Sequence, residues 1–271
     1  MIQRSLAEGL NLAVGDDVFV IFRDLITNLE YIRPSKEIAE KGLHFSLAAY
    51  RYHVLTDFRE IPDDEFGSYR SLCDYLNGRG VPSIQEALQE LLLGPVMRPY
   101  MEIANAGYLK YLLDNRLTPG ASKVPESLLD EASLKMSALI TGVRELVGFN
   151  RNQTEILDGV RRQLELILSL SSTGKSYPLP EGKQALEALT FVQSGLEARP
   201  DRWIILLAGA FLQNLGKLTG SEEYEEHSLS WTEEWHLVSK LTEAAQQLGV
   251  EPAAVWQISQ TLRLLISQQR W

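Results

Sequence analysis

Hydrophobic and polar positions change their period once along this chain, and that change divides it. Between Leu43 and Ile61 (LHFSLAAYRYHVLTDFREI), Tyr50, Tyr52, Val54 and Phe58 alternate with Arg51, His53, Leu55, Asp57 and Arg59. A period of two sets alternate side chains on opposite faces, which predicts a strand with one aromatic and one mostly polar face. Upstream, Val18 to Phe22 (VFVIF) is apolar on both faces, as in a covered strand. Gly15-Asp16-Asp17 marks a turn before it, and Thr27-Asn28 a second turn, from which Leu29 to Ile32 returns as a hairpin. Pro34 ends that strand, Ser35 to Lys41 supplies a short helix, and Gly42 stops it. About four strands are expected here, forming a small sheet with one face still uncovered.

Pro62-Asp63-Asp64 breaks the alternation, and from Phe66 onward the apolar residues follow a helical period. Ile156, Val160, Leu164 and Ile167 make one stripe. Val238, Leu241, Ala245 and Leu248 make another, and Val255, Ile258, Leu262 and Leu265 a third. Ser83 with Glu86, and Ser230 with Glu233, have the spacing of a capping box, while Pro125, Pro200 and Pro252 stand where first helical turns would begin. About eight or nine helices are expected. Leu117–Lys123 and Ser171–Gly182 are rich in Gly, Ser and Pro and read as linkers. No fixed period links the helices, so a solenoid is not expected. The predicted fold class is α+β, mainly α. A small N-terminal antiparallel β module (1–63) precedes a multi-helix domain (64–271), with a sub-boundary near 117–123.

Composition narrows the class. An apolar fraction of 45% with 23% charged residues is that of a folded protein rather than a disordered one. A net charge of -10 without clustered Lys and Arg argues against nucleic acid and against an anionic membrane as partners. The longest apolar run, Trp203 to Leu212 (WIILLAGAFL), is about half the length a bilayer needs and reads as a buried helix. MIQRSLAEGLNL lacks the apolar core of a signal peptide, so a cytoplasmic protein is expected. A single cysteine, Cys73, leaves no internal disulfide and no multi-cysteine metal site, and its helical setting beside Leu72 and Leu76 suits packing.

No catalytic constellation stands out. Gly174-Lys175-Ser176 resembles the end of a phosphate loop, but Ser169 stands where the first glycine belongs and the preceding residues read as helix. Glu233 and His236 have the Glu-x-x-His spacing of di-metal bundles. Tyr224, not Glu, precedes His227 by three, so the second copy is missing and the Glu222–His236 segment reads as a solvated acidic face. No metal and no cofactor are assigned. His44 and His53 are read as strand-face or hydrogen-bonding residues, and Asp57, Glu60, Asp63, Asp64 and Glu65 as acids of a strand end and turn. Tyr50 and Tyr52, with Trp231 and Trp235, are the candidate contacts for sugar rings or a partner; the competing reading is that such aromatics are core.

Phe19 to Ile61 (FVIFRDLITNLEYIRPSKEIAEKGLHFSLAAYRYHVLTDFREI) resembles the β-rich segment that follows the catalytic barrel in some large bacterial α-amylase-family glycoside hydrolases. Asp74 to Leu93 (DYLNGRGVPSIQEALQELLL) is similar to the helical extension of those chains. The resemblance implies a role in metabolism of starch- or glycogen-like α-glucans. The family's catalytic carboxylates sit on a (β/α)8 barrel, whose strand–helix alternation is missing here, so no catalytic residue is carried over. The expected role is an accessory, non-catalytic C-terminal region, either a fragment of a longer enzyme or a free-standing relative. Its expected partner is a catalytic barrel domain of the same or another chain, with α-glucan as a second. The alternative is a stand-alone helical protein–protein interaction module; a helix-bundle metal enzyme is a third reading, which needs the acidic segment to bind metal.

Overall fold

The computed structural model describes residues 4–45, 47, 49–117, 123–149, 153–172, 183–199 and 201–269. The architecture is α+β, mainly α. The chain forms two compact units, Met1–Leu93 and Gly94–Trp271.

The first unit opens with α1 (Leu6–Leu10), held by a capping box in which the Ser5 hydroxyl accepts from Glu8 N–H and the Glu8 carboxylate accepts from Ser5 N–H. Then come β1 (Val18–Asp24), β2 (Leu29–Pro34), α2 (Ser35–Lys41) and β3 (Leu55–Pro62). The three strands pair antiparallel in the order β2-β1-β3, so the strand that is apolar on both faces lies in the middle. Ile21 faces Ile32 on one side and Arg59 on the other. The hairpin and α2 form where the sequence pattern places them, with Asn28 left-handed in the turn and α2 ending at Gly42.

Three strands form among the described residues, not four, and the aromatic strand is shorter than its alternation suggests. Pairing begins only at Leu55, and the described residues between 43 and 54 lie outside the sheet. Two local features account for this. Tyr50 has φ 62, which breaks an extended path, and the Val54 N–H donates to the Asp24 carboxylate rather than to a ladder carbonyl. Asp57, at φ 56, then adds a bulge opposite Phe22, which resets the alternation so that Phe58 stacks on Phe22 at 5.2 Å.

Both faces of the sheet are covered within this unit, contrary to the expectation of an open face. Phe19, Ile21 and Ile32 pack with Leu72 and Leu76 of α3 (Ser68–Leu76) and with Ile84 at the start of α4 (Ile84–Ile103). On the other face, Val20 and Phe22 meet Ile38 of α2, with Leu43, Phe45 and Tyr31 closing around them. Glu30 fastens the first layer. Its buried carboxylate accepts from Arg23 at 2.8 Å, Arg59 at 3.3 Å and the Ile84 N–H at 2.8 Å, and its backbone bridges Val81. The α3 and early α4 residues therefore belong with the sheet, which carries the first unit to Leu93, beyond the sequence boundary at residue 63.

The second unit is helical: α5 (Ala106–Asp114), α6 (Glu126–Val147), α7 (Thr154–Ser169), α8 (Lys183–Ala198), α9 (Asp201–Leu212), a 3-10 turn (Leu215–Thr219), α10 (Tyr224–Glu234), α11 (Leu237–Gln247) and α12 (Pro252–Ser267). With α3 and α4, ten α-helices follow β3 among the described residues, against the eight or nine expected. The apolar run Trp203–Leu212 is the buried helix its composition predicts; α9 is apolar all round and α5, α7, α11 and α12 pack on it. The three stripes also face inward, through Ile156, Val160 and Leu164, through Leu241 and Ala245, and through Ile258 and Leu262. Pro252 opens α12 as expected, and Pro125 caps α6 from just outside it; Pro200, the linker residues 118–122 and 173–182, and with them Gly174-Lys175-Ser176, lie outside the described residues. Ser83 accepts from the Glu86 N–H as its box requires, but Ser230 and Glu233 lie inside α10, where the Ser230 hydroxyl donates to Glu234. Helix α10 starts at Tyr224 and leaves that serine no free helix end to cap.

Pro95 and Pro99 lie within α4, and Pro99 has no N–H to offer the Pro95 carbonyl. Helix α6 approaches that oxygen so closely that a Cβ at Gly142 would stand 1.9 Å from it. Gly142→Ala is therefore expected to lower the stability of the chain by about 2–3 kcal/mol through overpacking against rigid backbone. Gly159→Ala, mid-helix in α7 with open space around it, is expected to raise stability by about 0.5–1 kcal/mol. Urea unfolding midpoints of the two variants check both signs.

Candidate functional site

The sequence-predicted aromatics Tyr50 and Tyr52 lie in a segment held by one carboxylate. Asp24 ends β1 with its side chain fully buried. One oxygen accepts from the Ile26 N–H at 3.1 Å and the Val54 N–H at 3.3 Å. The other accepts from the Thr27 N–H at 3.3 Å, the Thr27 hydroxyl at 2.7 Å and His53 Nδ1 at 2.8 Å. The Leu25 N–H adds a bond to the Val54 carbonyl at 2.9 Å. The hairpin turn and the segment leading into β3 are thus joined through the Asp24 carboxylate and one backbone bond. Burial alone would raise the Asp24 pKa, but the bonds from Thr27, His53, Ile26 and Val54 outweigh it and hold the carboxyl far below its ordinary range. An ionised carboxylate only accepts, so His53 carries its proton on Nδ1, and its ring rests on Phe45 at 5.1 Å between centroids.

What this clasp presents to solvent is apolar. Leu25 and Ile26 of the turn are more than half exposed, Tyr52 is 65% exposed, and Val54 lies beside Leu25 through their backbone bond. Leu47 and a fully exposed Tyr50 continue the same segment. A tyrosine at φ 62 in open solvent is a strained backbone without a packing reward, the kind of position that clusters at contact sites. Trp231 and Trp235 do not join this surface. They belong to the second unit, Trp231 in α10 and Trp235 at its C-terminal cap, and stack on each other at 5.2 Å in its interior, which makes them core.

Several of the remaining candidates have structural partners. Glu233 pairs with Arg263 at 3.0 Å, His236 is the left-handed residue between α10 and α11, and no group of three or more His, Cys, Asp and Glu among the described residues is placed to hold a metal. Asp64 and Asp63 accept backbone N–H groups of Ser68 and Tyr69 at the start of α3. His44 bonds the Lys41 carbonyl. Cys73 is half-buried against the sheet, and burial pushes its thiol up, away from the reactive thiolate. Asp24 was not singled out from the sequence, although Asp24 with Thr27 in DLITN carries the side-chain-to-backbone spacing of a turn.

No family model, curated protein or solved structure matches this chain. No helix among the described residues is long and apolar enough to cross a membrane.

Asp24→Ala is expected to lower stability by about 2–3 kcal/mol, since it strands the Ile26, Thr27 and Val54 N–H groups. Asp24→Asn tests the charge. The folded pKa lies below the unfolded value, so the stabilisation is complete above pH about 4 and is lost as the pH falls toward the folded value. The difference in urea midpoint between wild type and Asp24→Asn should therefore shrink as the pH falls below about 4.

Proposed function

We propose that this chain serves as the accessory, non-catalytic C-terminal region of an α-amylase-type glycoside hydrolase acting on starch- or glycogen-like glucans. One observation carries the reading. The segment that bears the resemblance, Phe19 to Ile61, takes in nearly all of β1 and β3 with β2 and α2 between them, one closed piece of fold rather than scattered similarity. Its sheet is sealed on both faces by its own unit, and the exposed Tyr50 and Tyr52 support contact with a catalytic barrel or a glucan through the clasped segment. Aromatic rings in solvent offer the flat apolar faces on which sugar rings stack.

Reading the coding DNA upstream of Met1 tests the assignment. The expected result is an in-frame (β/α)8 barrel. A free-standing start preceded by an in-frame stop would overturn it in favour of a stand-alone helical interaction module. The surface has its own check: in affinity electrophoresis through amylopectin, the combined Tyr50→Ala and Tyr52→Ala variant should lose about tenfold in retardation. Equal migration of variant and wild type would remove both tyrosines from glucan contact.

A further inference from the structure

Helices α8, α9 and α12 of the second unit enclose a groove of about 490 Å3, within the size range of small-molecule sites. Its walls are mainly apolar. Phe191 from α8 and Trp256 from α12 line it while remaining 78% and 67% exposed, and Ile205 and Leu206 of α9 form the wall between them in sequence. Large side chains so little covered are unusual where they converge on one concavity.

The charges on these walls are unequal in their commitments. Arg199 holds Asp201 with two bonds of 2.9 Å and reaches Gln257, so that pair neutralises itself. Arg202, the third charged residue of the lining, has no carboxylate partner among the described residues and donates only to the Gly195 carbonyl, at 3.3 Å. Gly195 makes that seat: a Cβ there would come within 2.8 Å of the Arg202 guanidinium. Among the described residues Arg202 is therefore a cation without a carboxylate partner at the edge of an apolar groove, in a chain of net charge -10. A bound helix would use anchors spread over several turns, whereas here the lining draws on one to two turns of each of three helices, which suits a single compact molecule.

We propose that this groove binds a small amphipathic organic anion, with its aromatic or aliphatic body against Phe191 and Trp256 and its acidic head group on the Arg202 guanidinium. The inference is independent of the glucan reading, which rests on the first unit. The probe is 8-anilino-1-naphthalenesulfonate, titrated into the full chain by fluorescence, with uncharged N-phenyl-1-naphthylamine as the control of similar shape. Saturable binding of one sulfonate per chain is expected. Arg202→Gln should weaken it about tenfold and leave the naphthylamine within about twofold, whereas Trp256→Ala should weaken both. Arg202→Lys, which keeps the charge, should retain sulfonate affinity within about threefold of wild type. Both substituted side chains are exposed, and unchanged urea midpoints would show that the fold is intact. Non-saturating fluorescence, or equal sulfonate affinity in wild type and Arg202→Gln, would overturn the proposal.

Discussion

Val18 to Phe22 is hydrophobic on both faces, and a strand of that kind leaves water only if a layer closes over each side. The first unit is the solution to that constraint. Phe19 and Ile21 require α3 and the start of α4, while Val20 and Phe22 require α2 and the aromatic residues around Phe45 and Phe58. The second unit answers the same demand in helical form, because α9 is apolar all round and α5, α7, α11 and α12 pack on it. Burying such segments removes apolar area from water at roughly 25 cal/mol per Å2, which makes them the natural centres of each unit.

Two buried carboxylates finish what apolar burial begins. Glu30 meets two arginines and a helix N-terminus, so its charge is compensated where it is desolvated. Asp24 meets three backbone N–H groups, a hydroxyl and an imidazole. Each joins elements that hydrophobic contact alone would leave free to slide, since apolar attraction has no direction and hydrogen bonds do. The clasp at Asp24 also anchors the end of the apolar, aromatic segment that enters β3.

The two candidate surfaces differ in kind. The Tyr50–Tyr52 segment projects from a sealed sheet module and suits a large partner such as a polysaccharide or a neighbouring domain. The groove of α8, α9 and α12 is concave and carries Arg202, which has no carboxylate partner among the described residues, and this suits a small ligand. They lie in separate units.

Local constraints were legible in the sequence. The double-faced β1, the Thr27-Asn28 turn, the short α2 closed by Gly42, and the burial of Trp203–Leu212 all follow from neighbouring residues. Tyr50 and Tyr52 were legible as aromatics of the segment before β3, but their exposure was not, because an aromatic alternation reads equally as core. Tertiary structure decided what depends on distant partners. The Val54 N–H turned to Asp24, 30 residues away, so pairing of β3 began only at Leu55. The second sheet face was closed by α2 and the residues after it, Trp231 and Trp235 stacked inside rather than facing solvent, and Gly195 met Arg202 across two helices. The physical reason is the same in each case. Period and propensity record how a segment meets water, whereas which buried donor finds which acceptor is settled only when remote segments share one space.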